Sequence, residues 1–172
     1  MAARAGDETS RPGASSVDPQ DFAALLFATA LPGEADNIDA AAAARIVAQV
    51  AALAVRRSPD TPAISLEPIE SQGGRRRLGL AIVNDDMPFL VDSVSAAITS
   101  AGLAIDRLLH PIVTVRRDDR GQLHSIVAAD ANAPAAGETR ESLIYIELER
   151  VSAKARLALV ETLQGVLADV RV

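Results

Sequence analysis

The hydrophobic pattern changes its period in the middle of the chain, and this change constrains the fold more than any other feature. Residues 78–83 alternate apolar and small side chains, which predicts a strand with one face in a core. Its apolar members are Leu78, Leu80 and Ile82. From Pro88 to Ala101 apolar side chains recur at helical spacing, and Gly102 can end that helix in a left-handed conformation. The segment Asn84–Pro88 (N-D-D-M-P) is therefore an acidic junction between a strand and a helix.

Two helices and a further strand are predicted before the acidic junction. Asp18–Asp21 (D-P-Q-D) combines a capping residue, a first-turn proline and a carboxylate that can reach back, which together indicate a helix start. A second helix runs from about Asp39 to Arg57, and its last residues are arginines that favour the negative end of the helix. Period-two spacing then predicts a strand at 62–68, paired through a turn at 70–76 with a strand at 77–83.

An extended stretch, a hairpin, a strand and a helix are predicted after the junction. The extended stretch Ala104–Arg117 is interrupted by His110-Pro111. Because a proline cannot donate to a strand ladder, this point is an edge, a bend or a bulge. The remaining segments are a turn at 118–121, a strand at 122–128, a mobile loop at 129–141, a strand at 142–149 and a helix from about Ser152.

One face of the predicted sheet is a candidate contact surface. In the strand 142–149 the isoleucines point inward, so Tyr145 and the glutamates beside it point outward. Gly79, Ala81 and Val83 share the face opposite the alternating leucines and are small enough to let another surface pack closely. The helices of residues 18–57 could cover this face, but we favour a partner surface, within the molecule or between molecules, with Tyr145 exposed.

The order of elements predicts an α+β fold. Strand, helix, strand, strand, helix is the order of a split βαβ, ferredoxin-like antiparallel sheet with helices on one face, and an ACT-like domain is one version of this plan. The closing strand is missing, so the strand at 62–68 is expected to take its edge. We expect a disordered tail at 1–17, a helical leader at 18–60 and the ACT-like domain at 61–172. The last helix reaches the final residue without a cap, which indicates a fragment of a longer chain.

Composition excludes several functional classes. The net charge of −6 and the absence of a basic stripe argue against nucleic-acid binding, and the basic run Arg75–Arg77 follows two turn glycines, so we expect it to be solvated. No apolar run approaches the ~20 residues that cross a bilayer, and the N-terminus lacks a signal-peptide core. There is no cysteine for a disulfide or a thiolate metal site. We expect a cytoplasmic protein that does not bind membranes.

Several motifs, in a fixed order, resemble one enzyme family. They are Val83–Val94 (V-N-D-D-M-P-F-L-V-D-S-V), Gly102–Ile105, His110-Pro111, Arg116–Gly121, Ser142–Arg150 (S-L-I-Y-I-E-L-E-R) and Val166–Arg171. Together they are similar to the N-terminal ACT-like region of the large bacterial NAD-specific glutamate dehydrogenases. The resemblance covers roughly residues 62–172, and residues 1–60 match only loosely.

The resemblance implies a regulatory or assembly domain, and the catalytic and dinucleotide sites of the family lie far downstream. The parent enzyme would convert glutamate, NAD and water to 2-oxoglutarate, ammonia and NADH. This chain has no G-x-G-x-x-G after a strand, so we expect no cofactor here, and Lys154 in a first helical turn is no catalytic base. No catalytic residue is carried over. The expected partners are the remaining domains of the parent chain and other copies in a homo-oligomer, and an amino-acid effector is a further candidate.

The candidate ligand or interdomain loop is the acidic junction itself: Asn84, Asp85, Asp86, Met87 and Pro88. Free N–H groups at the helix start attract a carboxylate, while Asp85 or Asp86 could pair with an ammonium. Alternatively, these acids cap the helix and favour its positive end. The ACT pattern has a glycine after the proline, and Phe89 stands there instead. We therefore favour capping or an interdomain contact over a buried amino-acid site.

Other functional classes have weaker support. His110 and His124 could form a metal or acid/base pair, but a metal needs a third ligand and G-x-S-x-G is absent, so we expect packed or half-exposed histidines and no metal site. A stand-alone amino-acid-binding ACT module is the main alternative function. A small ferredoxin-like acylphosphatase would need a phosphate cradle after its first strand, where this chain has acids.

Overall fold

The computed structural model describes residues 17–28, 30–33, 35–70 and 73–171. The predicted disordered tail therefore lies outside the described residues, except for Val17. In chain order the elements are α1 (Pro19–Ala28), α2 (Ala40–Ala54), β1 (Ala63–Glu70), β2 (Arg76–Asp85), α3 (Leu90–Ser100), β3 (Ile105–Leu109), β4 (Ile112–Arg117), β5 (Leu123–Ala128), β6 (Glu138–Glu149) and α4 (Ala153–Val170).

The strands form one antiparallel sheet in the order β1-β2-β6-β4-β5, and β3 pairs with β6 beside β4. Strand β1 lies at the edge next to β2, with Ala63 opposite Val83 and Glu70 opposite Arg76. It therefore takes the place of the missing closing strand, as predicted. This confirms the α+β, ferredoxin-like plan.

Strand β6 organises the sheet because it pairs along both of its sides. One side faces β2, from Leu148 opposite Leu78 to Glu141 opposite Asp85. The other side meets β3 with its second half and β4 with its first half. His110-Pro111 separates β3 from β4, so the predicted interruption is a break between two strands that share one neighbour. Strand β6 also begins at Glu138, inside the segment predicted as a loop.

Helices cover both faces of the sheet, which differs from the predicted single helical face. Helices α3 and α4 pack on Leu80, Ile82 and Ile146 through buried residues such as Val94 and Leu163. On the opposite face, α1 and α2 place their own apolar side chains on the sheet. The buried members of that second core include Phe22, Leu26, Ile46, Val50, Val83, Val113, Leu143 and Tyr145. The helical leader thus shares a core with the sheet.

The expectation of a partner surface with an exposed Tyr145 is wrong. Tyr145 is fully buried, and its hydroxyl donates to Oε1 of Glu147 at 3.4 Å. Helix α2 approaches the small-residue face so closely that a Cβ on Gly79 would lie 2.9 Å from Oε1 of Gln49 and 3.0 Å from the Tyr145 hydroxyl. Glu147 also lies 3.5 Å from Arg107 and 3.9 Å from Arg45, so its charge is balanced under the leader.

The helix starts follow the sequence signals at three places. Oδ1 of Asp18 accepts from the N–H of Gln20 at 2.8 Å, and Oδ1 of Asp39 accepts from the N–H of Ala42 at 2.7 Å. Ser152 Oγ accepts from the N–H of Ala155 at 3.2 Å at the start of α4. Helix α2 ends at Ala54, before the predicted end at Arg57. Within the described residues, no helix is long and apolar enough to cross a membrane.

Candidate functional site

The acidic junction lies where β2 ends, between β6 and the end of α4. Asn84 is fully buried, and its Oδ1 accepts a hydrogen bond from Nη2 of Arg171 at 2.7 Å. Asp85 is the last residue of β2, and Asp86 continues the pairing because its N–H donates to the carbonyl of Arg140 at 3.1 Å. Asn84 thus points into the protein, whereas the side chain of Asp85 is 30% exposed.

Two arginines from distant segments bind the Asp85 carboxylate. Nη2 of Arg57, just after α2, donates to Oδ1 in a very short contact. Nη1 of Arg171, after α4, donates to Oδ2 at 2.7 Å. Each carboxylate oxygen therefore accepts from a side chain of the same molecule, so a ligand ammonium at Asp85 would compete with two arginines.

Glu141 is a buried carboxylate beside the partly buried Asp85. It is inaccessible to solvent, and it accepts two parallel hydrogen bonds from Arg117, each at 2.8 Å. Arg57 donates to the same carboxylate through Nη2 at 2.7 Å and Nε at 3.1 Å. Burial works against the charge of Arg57, but Glu141 and Asp85 outweigh it and hold the pKa of this guanidinium above its ordinary value.

These side chains form one ionic cluster: Arg57, Asp85, Arg117, Glu141 and Arg171. It also ties down backbone, because Arg117 Nη1 donates to the carbonyls of Ala54 and Gly121 at 2.8 and 2.9 Å. The cluster joins the leader, the sheet and the last helix. The sequence analysis did not predict this cluster because it assigned Arg57 to the end of a helix. The available signal was that Arg117 and Glu141, which carry opposite charges, lie at or next to the ends of predicted strands.

Asp86 takes part in a second polar chain with Ser142 and His110. Ser142 Oγ donates to Oδ1 of Asp86 at 2.9 Å, and Nε2 of His110 lies 3.0 Å from the same Oγ. Since the hydroxyl proton goes to Asp86, Nε2 of His110 must be the donor to Oγ. Ser142 is also fully buried, so this group cannot act as a histidine-activated nucleophile.

Stability should depend on pH through His110. Burial lowers the pKa of His110 from 6.5, and the nearby Asp86 offsets this only in part. The unfolded chain therefore binds more protons than the folded one below about pH 6.5, so stability falls as the pH drops through that value and is unaffected by His110 above it. We expect His110→Gln to flatten this slope in denaturant unfolding measured between pH 5 and 8, roughly the range over which histidine changes charge. The matched variant His124→Gln should keep the slope, and equal slopes in wild type and His110→Gln would contradict this account.

Capping of α3 by the junction acids is wrong. The helix begins at Leu90, and its N-cap residue is Phe89, which makes no side-chain capping bond. Phe89 has φ +63°, the left-handed conformation that glycine adopts without cost, and its side chain is 77% exposed. The position where the ACT pattern has glycine thus keeps a glycine-like backbone and carries an exposed aromatic ring.

Replacing Phe89 by glycine should stabilise the isolated chain. The left-handed conformation costs a residue with a Cβ about 1–2 kcal/mol, and an exposed ring contributes little packing in return. We expect Phe89→Gly to raise the free energy of unfolding by about 1 kcal/mol in denaturant titrations, while truncation of the adjacent buried Leu90 to alanine lowers it by about 2–5 kcal/mol. A loss of stability in Phe89→Gly would show that the ring packs on the protein.

The second half of the acidic junction lines a groove on the surface. Asp86, Met87 and Pro88 line an open groove of about 370 Å³ together with His110 and the start of α3. The structure therefore separates the predicted loop into the fully buried Asn84, the partly buried Asp85 that is bound by two arginines, and a part that lines this groove. Amino-acid binding in this groove stays a prediction.

His124 lies apart from this groove. It is exposed on the β4–β5 hairpin, where its Nε2 is 3.3 Å from Asp118, whereas His110 contacts Ser142. Among the described residues, neither histidine belongs to a group of three His, Asp or Glu side chains close enough to hold a metal ion. The side chain of each histidine thus has a hydrogen-bond partner within the protein.

Comparison with known proteins defines the class. A model of the glutamate dehydrogenase ACT1 domain matches residues 22–163, which include most of α1 and the first part of α4. Because this match covers most of the chain, the protein belongs to the glutamate dehydrogenase ACT1 domain family. The matched range also includes both leader helices, in agreement with their shared core with the sheet.

Two relatives are NAD-specific glutamate dehydrogenases. The protein from Halomonas elongata is 38% identical over 94 residues, and that from Pseudomonas aeruginosa is 34% identical over 92 residues. These alignments cover 54% and 53% of this chain but only 6% of each relative. The chain thus corresponds to a small part of the length of these relatives. No solved structure is significantly similar to it.

Proposed function

We propose that this chain is the non-catalytic regulatory and assembly domain of an NAD-dependent glutamate dehydrogenase. The parent enzyme would oxidise L-glutamate with NAD and water to 2-oxoglutarate, ammonia and NADH, in the cytoplasm and in glutamate catabolism. Support comes from membership of the ACT1 domain family and from relatives that carry the dehydrogenase name. NAD would be bound by other domains of the parent.

The observation that carries this proposal is that other segments of the same molecule bind the acidic junction. Asp85 is bound by Arg57 and Arg171, and Asn84 by Arg171, so these polar groups hold segments together instead of facing a substrate. Phe89 projects an exposed ring beside them, which suits a contact with another domain of the parent chain or with a second copy in a homo-oligomer. The domain would therefore order subunits and transmit regulation.

Three proteins test the proposal: the 172-residue chain, the full parent enzyme, and the parent without this region. We expect glutamate-dependent NADH formation by the full parent and none by the 172-residue chain. The truncated parent should keep the dinucleotide site but change its oligomeric state in light scattering. Glutamate turnover by the short chain, or an unchanged assembly after truncation, would contradict the proposal.

A stand-alone amino-acid-binding module is the second candidate, and the groove beside Asp86 and His110 favours it. Unfolding of the chain in the presence of each amino acid separates the two. A ligand at 100 times its Kd adds about 2.7 kcal/mol to the free energy of unfolding. The proposed function expects no such gain at millimolar concentration, whereas a gain that Asp86→Asn abolishes would establish the module.

A further inference from the structure

A basic groove lies at the opposite end of the sheet from His110, between the β1–β2 hairpin and the start of α4. Its volume is about 820 Å³. Arg76 on β2, Arg150 after β6 and Arg156 in α4 line it, together with the apolar residues Pro68, Leu78 and Val151. Leu78 belongs to the core beneath α3 and α4, so the groove joins charged walls to an apolar base.

The three guanidinium groups of the groove stand apart from most arginines of this protein. The arginines that lie within 4.0 Å of a carboxylate include Arg45, Arg57, Arg107, Arg116, Arg117 and Arg171. Arg77 lines the groove but is also paired, with Asp106. The guanidinium groups of Arg76, Arg150 and Arg156 form no hydrogen bond or ion pair with any residue that the structure describes. In a chain of net charge −6, three unpaired cations in one groove leave a local positive potential.

One carboxylate stands beside these three positive charges. Among the described residues that line the groove it is Glu70, which is exposed and lies opposite Arg76 in the β1–β2 ladder. The first turn of α4 has no acidic residue and carries Lys154, although acids are favoured at a helix start. Like charges that gather without partners destabilise a fold, so this arrangement is more stable with a bound anion.

We propose that this groove binds a small organic anion with at least two negative charges, a phosphate ester or a dicarboxylate. Planar guanidinium groups bind both phosphate and carboxylate oxygens in pairs, and the apolar base would contact the carbon part of such a ligand. The groove volume suits a small molecule. This site is separate from the acidic junction, and it assigns an effector chemistry that does not depend on glutamate turnover.

Calorimetric titration of the full chain with phenyl phosphate and with glutarate tests this site, and the two ligands distinguish the phosphate from the carboxylate source. We expect at least one of them to bind, to weaken as salt is added, and to lose about tenfold in affinity in Arg150→Gln and in Arg76→Gln. Benzyl alcohol, which has no charge, should not bind. The matched control is Arg120→Gln, because Arg120 is exposed on the β4–β5 hairpin, far from the groove in sequence.

Two outcomes would overturn the proposal: no binding of either anion at millimolar concentration, or binding that Arg150→Gln and Arg76→Gln leave unchanged. Both variants replace exposed side chains without described partners, so folding should be preserved, and circular dichroism checks this. Because the readout is binding by this chain, its failure would leave the proposed dehydrogenase function intact, and failure of the glutamate assay would leave the site intact.

Discussion

Replacing Glu141 by glutamine should lower the free energy of unfolding by about 3–5 kcal/mol. The substitution keeps the shape of the side chain but removes the negative charge that Arg57 and Arg117 share. Glu141 is inaccessible to solvent and Arg57 is nearly so, with 4% of its side chain exposed, so neither guanidinium can regain its hydration in place. Breaking a buried ion pair by removing one partner leaves an uncompensated charge, which is the source of the large cost. Urea unfolding at neutral pH measures it.

The matched control is the exposed pair formed by Arg116 and Glu138, 3.4 Å apart with half of the Arg116 side chain in solvent. Exposed pairs contribute at most about 1 kcal/mol, so Arg116→Gln should fall below that value. If Glu141→Gln cost no more than this control, the ionic cluster would not be a buried structural element.

Replacing Gly121 by alanine should cost about 2–5 kcal/mol. Gly121 has φ +78°, and an added Cβ would overlap the carbonyl oxygen of Arg57 and lie 2.7 Å from its carbonyl carbon. The backbone would have to move, and this would disturb the hydrogen bond from the Arg57 N–H to the Gly121 carbonyl, now 3.0 Å. Thermal and urea unfolding of the variant measure the loss.

Gly102→Ala separates the two causes of this loss. Gly102 has the same φ of +78°, but an added Cβ would have no neighbour within 4 Å. Replacing Gly102 by alanine should therefore lower the free energy of unfolding only by the cost of the left-handed backbone conformation, about 1–2 kcal/mol. Equal losses in the two variants would mean that the approach of Arg57 to the β4–β5 hairpin is not as close as described.

The order of the elements and the edge position of β1 were predictable because they rest on local signals. Alternation at Leu78–Ile82 and the cap at Ser152 each involve a few adjacent residues, and the antiparallel hairpin follows from a short turn. The break at His110-Pro111 was predictable for the same reason, since it follows from the missing N–H of proline.

The two-sided burial of the sheet was not predictable in this way. Glu147 beside Tyr145 looks like a solvent-facing pattern, and only the approach of Arg45 and Arg107 from distant segments allows that face to be buried. The same holds for the acidic junction: capping is the local interpretation of Asp85, whereas its partners are 28 and 86 residues away in the chain. The charged residues near a turn do not by themselves show which charged residues, distant in the sequence, they will contact in the fold.

The account depends on one claim about the acidic junction: Asp85 holds the leader and the last helix on the sheet. A double-mutant cycle on Asp85→Asn and Arg171→Gln, measured by urea unfolding, tests this directly. Their contact at 2.7 Å predicts a coupling of about 0.5–3 kcal/mol, unchanged by added amino acids. Additive effects of the two substitutions, or a coupling that disappears when an amino acid is bound, would contradict it.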